Sequence, residues 1–508
     1  MFKKEKFYVT TPIYYVNSDP HVGSAYTTIA ADVLARYYRM KLSAEKVFFL
    51  TGTDEHGAKV ATNAEKAGKE PQAFVDEYSA KFLFAWDELN ISQNRFIRTT
   101  DPDHMAAVQK ALKQMYDKGD IYLGKYEGLY CKGCEQYKSE KDLVDKKCPD
   151  HHTVPEQMSE ESYMFKMSKY ADELLKKIEK DEILILPKER KNEILSFYKN
   201  EGLQDISFSR KNVSWGIPLP WDNSHTTYVW ADAFLNYLTG ISWDGTAKTS
   251  PPMWPADLQL MGKDIIRVHA TIWLAMLLSL ELPLPKKFFV HGFFLSAGMK
   301  MSKSLGNVIS PIEMADKYGS DAARYLLIDA AIFGSDGDVT WQKFDDKYTA
   351  DLSNGLGNLV SRVLAMAEKY FNSVLDVSKT DKKFNFDFKL FDKNFEDLKL
   401  DENLKMIKDL VKQCDMYIAE NKPWEAFKED KDKVQKVLAS AVLQIIVLAW
   451  LIRPYMPDTS DSILAQLNLQ REFFDKKFKD ASKGKVFFEN TIKVNRGQAL
   501  FPRLEPKD

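Results

Sequence analysis

The fold is decided by FYVTTPIYYV at residues 7–16, which is followed by the turn cluster NSDP at 17–20 and by GSAYTTIAADVLARYYRMK at 23–41. The first segment is rich in β-branched and aromatic residues, a composition typical of a buried strand. The third has helical apolar spacing at Ile29, Val33, Leu34 and Tyr37. A second apolar run at 47–50 is followed by TGTD at 51–54. Strand, turn, helix and strand in this order predict the opening of a parallel α/β sheet.

Beyond these first 54 residues, changes in composition and periodicity along the chain predict several domains. The chain has 508 residues, more than one hydrophobic core usually organises. Helical spacing continues to residue 118, a Lys- and Glu-rich stretch with three cysteines follows, apolar density then returns, and the last third is helical. We therefore predict a parallel-sheet domain in two halves, 1–118 and 222–293, with an insertion at 119–221 between them. A linker domain at 294–345 and an all-α bundle at 346–508 are predicted to follow.

Composition and charge are those of an ordinary globular protein. Seventy-one basic and 73 acidic side chains leave a formal charge of -2, so nucleic acid would have to be bound by a local patch. The most membrane-like stretch, at 437–452, is interrupted by Ser440 and Gln444 and is shorter than the roughly 20 residues of a membrane span. It predicts a buried bundle helix. The N-terminus lacks the features of a signal peptide, and a cytoplasmic protein with no membrane partner is expected.

A cysteine–histidine cluster predicts a metal site. Two ligand pairs, each with two intervening residues, are formed by Cys131, Cys134, Cys148 and His151. Three thiolates and one imidazole form a closed tetrahedral zinc set with a structural role. His152 is an alternative fourth ligand, and free thiols or a disulfide are the other interpretations. Cys414 lies in a helical apolar pattern and is expected in a core.

Two further motifs are suited to phosphate. PHVGS at 20–24 precedes the first helix, where free backbone N–H groups, the His21 imidazole and the close approach permitted by Gly23 favour a nucleotide. KMSKS at 300–304 lies between Gly298 and Gly306, and residues 286–304 carry four lysines and no acid. A mobile basic loop of this kind can neutralise departing pyrophosphate. Taken singly, the first motif is also compatible with a turn and the second with a solvated basic loop.

Together, the two motifs resemble the signatures of class I aminoacyl-tRNA synthetases, although Ser24 stands where that class usually has a second His. Four further segments are similar to the methionyl-tRNA synthetase family in its single-zinc form: TPIYYVN at 11–17, GTDEHG at 52–57, YVWADA at 228–233 and GKDIIRVH at 262–269. The resemblance extends from about residue 7 to about residue 505.

The resemblance implies a Rossmann-like nucleotide-binding domain, a zinc-knuckle insertion and a helical anticodon-binding domain. It implies an ATP-dependent methionine–tRNA ligase that forms methionyl-adenylate and transfers methionine to the 3′ end of tRNA(Met), releasing AMP and pyrophosphate. The expected partners are ATP with Mg2+, L-methionine and a tRNA with the CAU anticodon. One structural Zn2+ and a monomeric state are also expected.

The resemblance also implies which residues bind methionine, ATP and the anticodon, because each occupies a matching position in the resembled motifs. The methionine pocket is expected to contain Ile13, Tyr15, Asp54, Trp230, Ala233, Tyr237, Ile265, His269 and Trp273. ATP is expected to contact His21, Gly23, Ser24, Lys300, Ser302 and Lys303, of which His21, Lys300 and Lys303 are the expected catalytic residues. The anticodon is expected to contact Asn358, Arg362 and Trp424. Taken without the resemblance, each aromatic residue is equally compatible with plain core packing.

Two kinds of alternative stay open. Leucine, isoleucine, valine and cysteine members of the class are the rival enzymes, but the insertion is small for an editing domain and four protein ligands would close the zinc to a substrate thiol. A non-catalytic tRNA-binding paralogue is favoured by Ser24 and disfavoured by Gly23, Asp54 and the intact KMSKS segment. The hypothesis that the chain is a ligase requires that His21, Asp54 and Lys303 converge around one crevice.

Overall fold

The computed structural model describes residues 5–131, 136–138, 140, 143–149, 152–211, 213–296, 298–301, 307–381, 385–470 and 491–505. The chain forms two compact units. The first unit contains Met1–Pro20, Ala44–Asp87 and Ser92–His291, and the second contains His21–Ser43, Glu88–Ile91 and Gly292–Asp508.

Strands and helices are numbered along the chain. The strands are β1 (Phe7–Tyr15), β2 (Val47–Asp54), β3 (Arg95–Arg98), β4 (Ile121–Cys131), β5 (Gln136–Lys138), β6 (Glu156–Phe165), β7 (Leu184–Leu186), β8 (Ile206–Ser207), β9 (Ser209–Arg210), β10 (Pro218–Leu219), β11 (Asp222–Thr227), β12 (Leu258–Gly262), β13 (Lys287–His291), β14 (Phe294–Ser296), β15 (Met299–Lys300), β16 (Gly337–Asp338), β17 (Val374–Asp376) and β18 (Thr491–Lys493). The helices are α1 (Val22–Leu42), α2 (Ala58–Lys66), α3 (Pro71–Glu88), α4 (Pro102–Asp117), α5 (Ala171–Glu179), α6 (Lys188–Asn200), α7 (Val229–Ala233), α8 (Asn236–Thr239), α9 (Ile266–Val268), α10 (Leu274–Ser279), α11 (Pro311–Tyr318), α12 (Ser320–Ile328), α13 (Trp341–Lys347), α14 (Asn358–Phe371), α15 (Phe388–Glu396), α16 (Leu400–Asn421), α17 (Pro423–Ala426), α18 (Lys431–Ile452) and α19 (Pro457–Gln466). Two π-helical segments, His269–Trp273 and Tyr348–Gly357, precede α10 and α14.

The first unit is built on a six-stranded sheet with the order β3-β2-β1-β12-β13-β7. All of its pairings are parallel, so the predicted parallel α/β sheet is confirmed. The pairing of β1 with β2 shifts register between Thr10 and Ile13. Pro12 lies at this point and has no N–H to donate to a neighbouring strand, which accounts for the irregularity.

Close packing between β2 and β3 allows only glycine at position 52. A Cβ atom built on Gly52 of β2 would lie 1.9 Å from the carbonyl oxygen of Ile97 in β3. Any other residue at this position would push the two strands apart, so β2 needs glycine here for packing against β3.

The stretch predicted as an insertion also contributes to the main sheet. β7 comes from residues 119–221 and pairs in parallel with β13, where Leu184 lies opposite Lys287. Three apolar residues are too few to show a strand periodicity, and the sequence analysis therefore did not assign them to the sheet. The same stretch forms an antiparallel sheet with the order β5-β4-β6-β8.

The second unit is mainly helical after residue 346, as predicted, and has small sheets formed by β14–β16 and by β17 with β18. Its most apolar helix, α18, is long enough to cross a membrane, but 83% of its apolar window is buried inside the protein. This burial agrees with the predicted bundle helix. Cys414 of α16 is fully buried, also as predicted.

A buried arginine joins four segments of the second unit. The Arg324 side chain, in α12, is fully buried and forms an ion pair with Asp32 of α1 at 2.7 Å. Its guanidinium also donates to the carbonyl oxygens of Tyr455 (2.8 Å), Pro454 (3.1 Å) and Leu89 (3.1 Å). Because a buried guanidinium requires partners for its donors, α1, the 88–91 segment and the α18–α19 connection are all held by this side chain.

We expect Arg324→Met to lower the free energy of unfolding by about 3–5 kcal/mol, because the buried Asp32 carboxylate loses this ion pair and keeps the one with Arg36 at 2.7 Å. The buried carbonyl oxygens of Tyr455, Pro454 and Leu89 also lose this donor. Lys343→Met is the matched control, since the Lys343–Asp338 pair is solvent-exposed and its loss should cost less than about 1 kcal/mol. Urea unfolding monitored by circular dichroism measures both. Equal losses in the two variants would contradict the assigned importance of Arg324.

Candidate active site

The six-stranded sheet has a switch point next to β1. The strand order runs outward from β1 through β2 and β3 in one direction and through β12, β13 and β7 in the other. In open parallel sheets, ligands bind outside the carboxyl ends of the strands at such a point. The residues that end β1 and β2 and those that follow β12 are therefore the first candidates for a binding site, and Ile13, Tyr15, Asp54 and Ile265 are among them.

The carboxyl ends of β1 and β2 are paired and hydrogen-bonded to each other. Tyr15 and Asp54 are in register, and the Val16 N–H donates to the Asp54 carbonyl oxygen at 3.2 Å. The Asp54 side chain belongs to a residue only 7% exposed. The adjacent Glu55 is fully buried and accepts two hydrogen bonds from the Arg98 guanidinium, at 2.7 and 2.9 Å. Glu55 therefore anchors the strand end next to Asp54.

Helices α7 and α8 contribute an aromatic cluster. The Phe234 ring stacks against the indole of Trp230, with centroids 5.4 Å apart, and against that of Trp273 at 6.0 Å. The Tyr237 ring lies 5.5 Å from Trp273. Ala233 is buried in α7, directly before Phe234. The structure thus brings together three aromatic residues that the sequence predicted for the methionine pocket.

His269 completes this cluster, and its hydrogen bonds define its protonation. Nδ1 lies 2.8 Å from the Ile265 carbonyl oxygen, which can only accept, so Nδ1 carries the proton. Nε2 lies 2.7 Å from the Tyr237 hydroxyl and accepts from it. Burial lowers the pKa of His269 to about 4, although the hydrogen bond to Ile265 opposes this shift. The imidazole is therefore neutral at pH 7 and adds no charge to the apolar surroundings.

Two residues of this region were missed by the sequence analysis. Phe234 lies at the centre of the cluster, and its position four residues after Trp230 was a detectable signal. Gln259, a polar residue in the apolar strand β12, accepts a hydrogen bond from the Trp273 indole at 3.0 Å and so fixes its ring. A buried polar residue in a central strand was the available signal for it.

The first phosphate motif caps α1 in the second unit. His21 is exposed at the N-cap, and its Nδ1 accepts from the Gly23 N–H at 3.0 Å. The Ser24 hydroxyl donates to the His21 carbonyl oxygen at 2.7 Å and accepts from the His21 N–H at 3.1 Å. Ser24 therefore holds the backbone of His21, a capping role that the sequence analysis, which expected Ser24 to contact ATP, did not predict.

The second phosphate motif is described only in part. Lys300 ends β15, whose backbone pairs with Leu295 of β14. Ser302 and Lys303 lie outside the described residues. The expected convergence of His21, Asp54 and Lys303 stays a prediction.

The predicted zinc ligands are likewise described in part. Cys131 ends β4 and Cys148 lies in a turn closed by a hydrogen bond from the His152 N–H to the Cys148 carbonyl oxygen at 2.8 Å, and both thiols are buried. Cys134 and His151 lie outside the described residues. Among the residues that are described, no group of three or more metal-ligating side chains is found. The zinc site stays a prediction.

The predicted anticodon residues lie close together in the second unit. Asn358 is exposed at the start of α14, and Arg362 is one turn further along the same helix. The Arg362 guanidinium lies 6.0 Å from the ring of Trp424, which is 43% exposed in the first turn of α17. Asp415 of α16 forms an ion pair with Arg362 at 3.4 Å. An exposed indole beside a guanidinium and an amide is suited to stacking and hydrogen bonding with unpaired bases.

Comparisons with known proteins agree with this arrangement. The family model described as "tRNA synthetases class I (M)" matches residues 7–157 and 138–364, and the model of the anticodon binding domain of methionyl tRNA ligase matches residues 378–503. The chain thus belongs to the class I aminoacyl-tRNA synthetases.

Individual relatives define the family within this class. The methionine–tRNA ligase of Clostridium acetobutylicum is 43% identical over 99% of this chain and 79% of its own length. That of Streptomyces coelicolor is 40% identical over 99% of this chain and 97% of its own length. The structure of Mycobacterium tuberculosis methionyl-tRNA synthetase in complex with methionyl-adenylate matches with a TM-score of 0.90 and 34% identity, over 98% of this chain and 100% of that chain. The chain belongs to the methionine–tRNA ligase family, as its motifs predicted.

We expect the free energy of unfolding to decrease as the pH falls from 6.5 towards 4. In this range unfolded His269 takes up a proton that folded His269, with a pKa of about 4, does not, so the unfolded state gains stability. The difference corresponds to on the order of 3 kcal/mol at about 1.4 kcal/mol per pKa unit. Urea unfolding of the wild type and of His269→Gln across this range measures it. Parallel pH curves for the two proteins would contradict the assigned protonation state.

Proposed function

We propose that this chain activates L-methionine with ATP to methionyl-adenylate and transfers the methionyl group to the 3′ end of tRNA(Met). The observation that carries the proposal is the aromatic cluster of Trp230, Phe234, Tyr237 and Trp273 around a neutral imidazole. Asp54 belongs to the same region, since burial and, to a lesser extent, the Asp54 carboxylate raise the pKa of Tyr237. Methionine has an uncharged, flexible thioether and a charged ammonium, and these two parts need different surroundings.

The aromatic cluster is suited to the thioether. Sulfur makes favourable contacts with aromatic rings, and a flexible side chain gains most from a pocket that is already formed. His269 contributes a flat, neutral surface, because its Nε2 is already bonded to the Tyr237 hydroxyl. Asp54 would hold the ammonium group by a charge-assisted hydrogen bond. Ile13, Tyr15, Ala233 and Ile265 would complete the pocket.

The phosphate motifs would bind ATP together with Mg2+. His21 and Gly23 lie at the N-terminus of α1, where backbone N–H groups favour an anion, and Ser24 would act by holding His21. An oxygen of the methionine carboxylate would attack the α-phosphorus of ATP as the bond to the β-phosphate oxygen breaks. Lys300, Ser302 and Lys303 would contact the phosphates, and the two lysines would neutralise the departing pyrophosphate.

A structural Zn2+ is proposed for the four ligands Cys131, Cys134, Cys148 and His151. The two cysteines that the structure describes support it, since both are buried and Cys131 ends β4. Four protein ligands would close the coordination sphere. Reduced cysteines of this kind suit the cytoplasm, which is the proposed location. A monomer stays the prediction for the oligomeric state.

The surface formed by Asn358, Arg362 and Trp424 would bind the CAU anticodon. The Trp424 indole would stack on one base, while the amide of Asn358 and the guanidinium of Arg362 would donate hydrogen bonds to base edges. Asp415 would restrict the orientation of the Arg362 guanidinium, since the two form an ion pair.

Methionine-dependent exchange of label between pyrophosphate and ATP tests the activation step without tRNA. We expect exchange with methionine and at least tenfold weaker exchange with leucine, isoleucine, valine and cysteine, which lack the thioether. Absence of exchange with every amino acid, combined with retained tRNA binding, would support the non-catalytic paralogue instead.

We expect Trp424→Ala to weaken tRNA aminoacylation, measured as kcat/KM for tRNA, by the equivalent of about 1–3 kcal/mol, which is the usual value of one stacked base. Methionine-dependent exchange should be unchanged, because the anticodon takes no part in it. Phe84→Ala is the matched control, since Phe84 is also an exposed aromatic residue (52%) but lies in the first unit. Equal loss of both activities in Trp424→Ala would indicate a folding role for the indole.

A further inference from the structure

A carboxylate is buried between two imidazoles in the first unit. Asp232, in α7, is fully buried, and its Oδ2 lies 2.8 Å from Nδ1 of His56. Its Oδ1 lies 3.5 Å from Nε2 of His104, which is also fully buried. His56 is 3% exposed. The three side chains are therefore closed to solvent, and no step of the proposed reaction uses them.

Their places in the chain connect them with the proposed methionine pocket. Asp232 lies between Trp230 and Ala233 on the same short helix, and His56 follows Asp54 by two residues. The Asp232–His56 contact thus links α7 to the loop that continues from the ammonium-binding carboxylate. A five-residue helix has little stability of its own, so its orientation depends on contacts of this kind.

His104 extends the connection to α8. Its Nδ1 lies 2.7 Å from the Thr239 hydroxyl, and Thr239 follows Tyr237 by two residues in α8. The chain of contacts from His56 through Asp232 and His104 to Thr239 therefore reaches both short helices that carry pocket residues, and connects them to α4, where His104 lies.

The protonation states favour a rigid connection. Burial alone would raise the pKa of Asp232, but the imidazoles of His56 and His104 outweigh it and hold that pKa below its usual value. The ionised carboxylate can only accept, so the His56 Nδ1 donates to it. A charge-assisted hydrogen bond inside the protein is stronger and more directional than a neutral one.

We propose that His56, Asp232 and His104 are positioning residues that hold α7, α8 and the segment after β2 in the arrangement that binds methionine. The proposal rests on the proposed function, because it assigns these residues to the methionine site. They act through Trp230, Tyr237 and Asp54 rather than on the substrate, since all three are buried. Their loss should weaken methionine binding and leave ATP binding and tRNA recognition intact.

The test is steady-state exchange kinetics of Asp232→Asn, which keeps the shape of the side chain and removes its charge. We expect the KM for methionine to rise at least tenfold, with the KM for ATP and the kcat within about twofold of the wild type, because a rise in KM alone reports lost substrate binding. An unchanged KM for methionine would overturn the proposal. Absence of exchange in the wild type would contradict the proposed function itself, so the two failures are distinguishable.

Asp120→Asn is the matched control for a purely structural effect. Asp120 is 1% exposed in the same unit and accepts hydrogen bonds from Lys169 (2.6 Å), Tyr170 (2.5 Å) and Ser279 (2.8 Å). This variant should lower the thermal unfolding midpoint as Asp232→Asn does, without changing the KM for methionine. A similar rise in KM in both variants would show that general destabilisation is the cause, and would overturn the proposal.

A pair of variants at His56 makes the test independent of the folding of Asp232→Asn. His56→Asn retains an N–H donor near the position of Nδ1, whereas His56→Leu removes it. We expect the KM for methionine to rise at least tenfold in His56→Leu and to return to within about threefold of the wild type in His56→Asn. Equal KM values in the two variants would overturn the proposal, because the hydrogen bond would then have no effect on the pocket.

Discussion

The parallel pairing of β1 with both β2 and β12 is the constraint on which the site of the first unit depends. It places Tyr15 and Asp54 in register at one edge of the sheet and brings the segment after β12 to the same edge. Side chains from distant parts of the chain can then line one crevice, although each belongs to a separate element. Gly52 maintains this edge because no larger residue fits against the carbonyl oxygen of Ile97.

Two kinds of buried side chain lie in this unit: an uncharged aromatic cluster and an ionised carboxylate. The aromatic cluster with a neutral His269 avoids charge, which suits an apolar thioether. Asp232, on the same helix as Trp230, is ionised and bonded to His56, and both side chains are closed to solvent. An apolar surface alone would give weak orientation, whereas hydrogen bonds behind that surface fix the helices that carry it.

The sequence was sufficient for features with a local or periodic signal. The strand, turn, helix and strand at the start, the long helices of the second unit and the proximity of Arg362 to Asn358 all follow from spacing within a few residues. Features that depend on distant pairing were not predictable in this way. The three residues of β7 have no periodicity, and the contact of Asp232 with His56 joins positions 176 residues apart. The capping role of Ser24 was missed because the motif was interpreted through its ligand, whereas the hydroxyl proton is used within the helix cap itself.

The buried guanidinium of Arg324 has a consequence for how this chain can be divided. Three of its acceptors, Asp32, Leu89 and Asn90, precede it in the chain, whereas Pro454 and Tyr455 come from the helical bundle at the other end. A fragment that stops before the bundle would retain Arg324 but lose two of its carbonyl partners. The helix that begins with the nucleotide motif would then lose part of its support. The bundle is therefore integral to the fold of α1, and a minimal activating fragment would need a redesigned interior at this arginine.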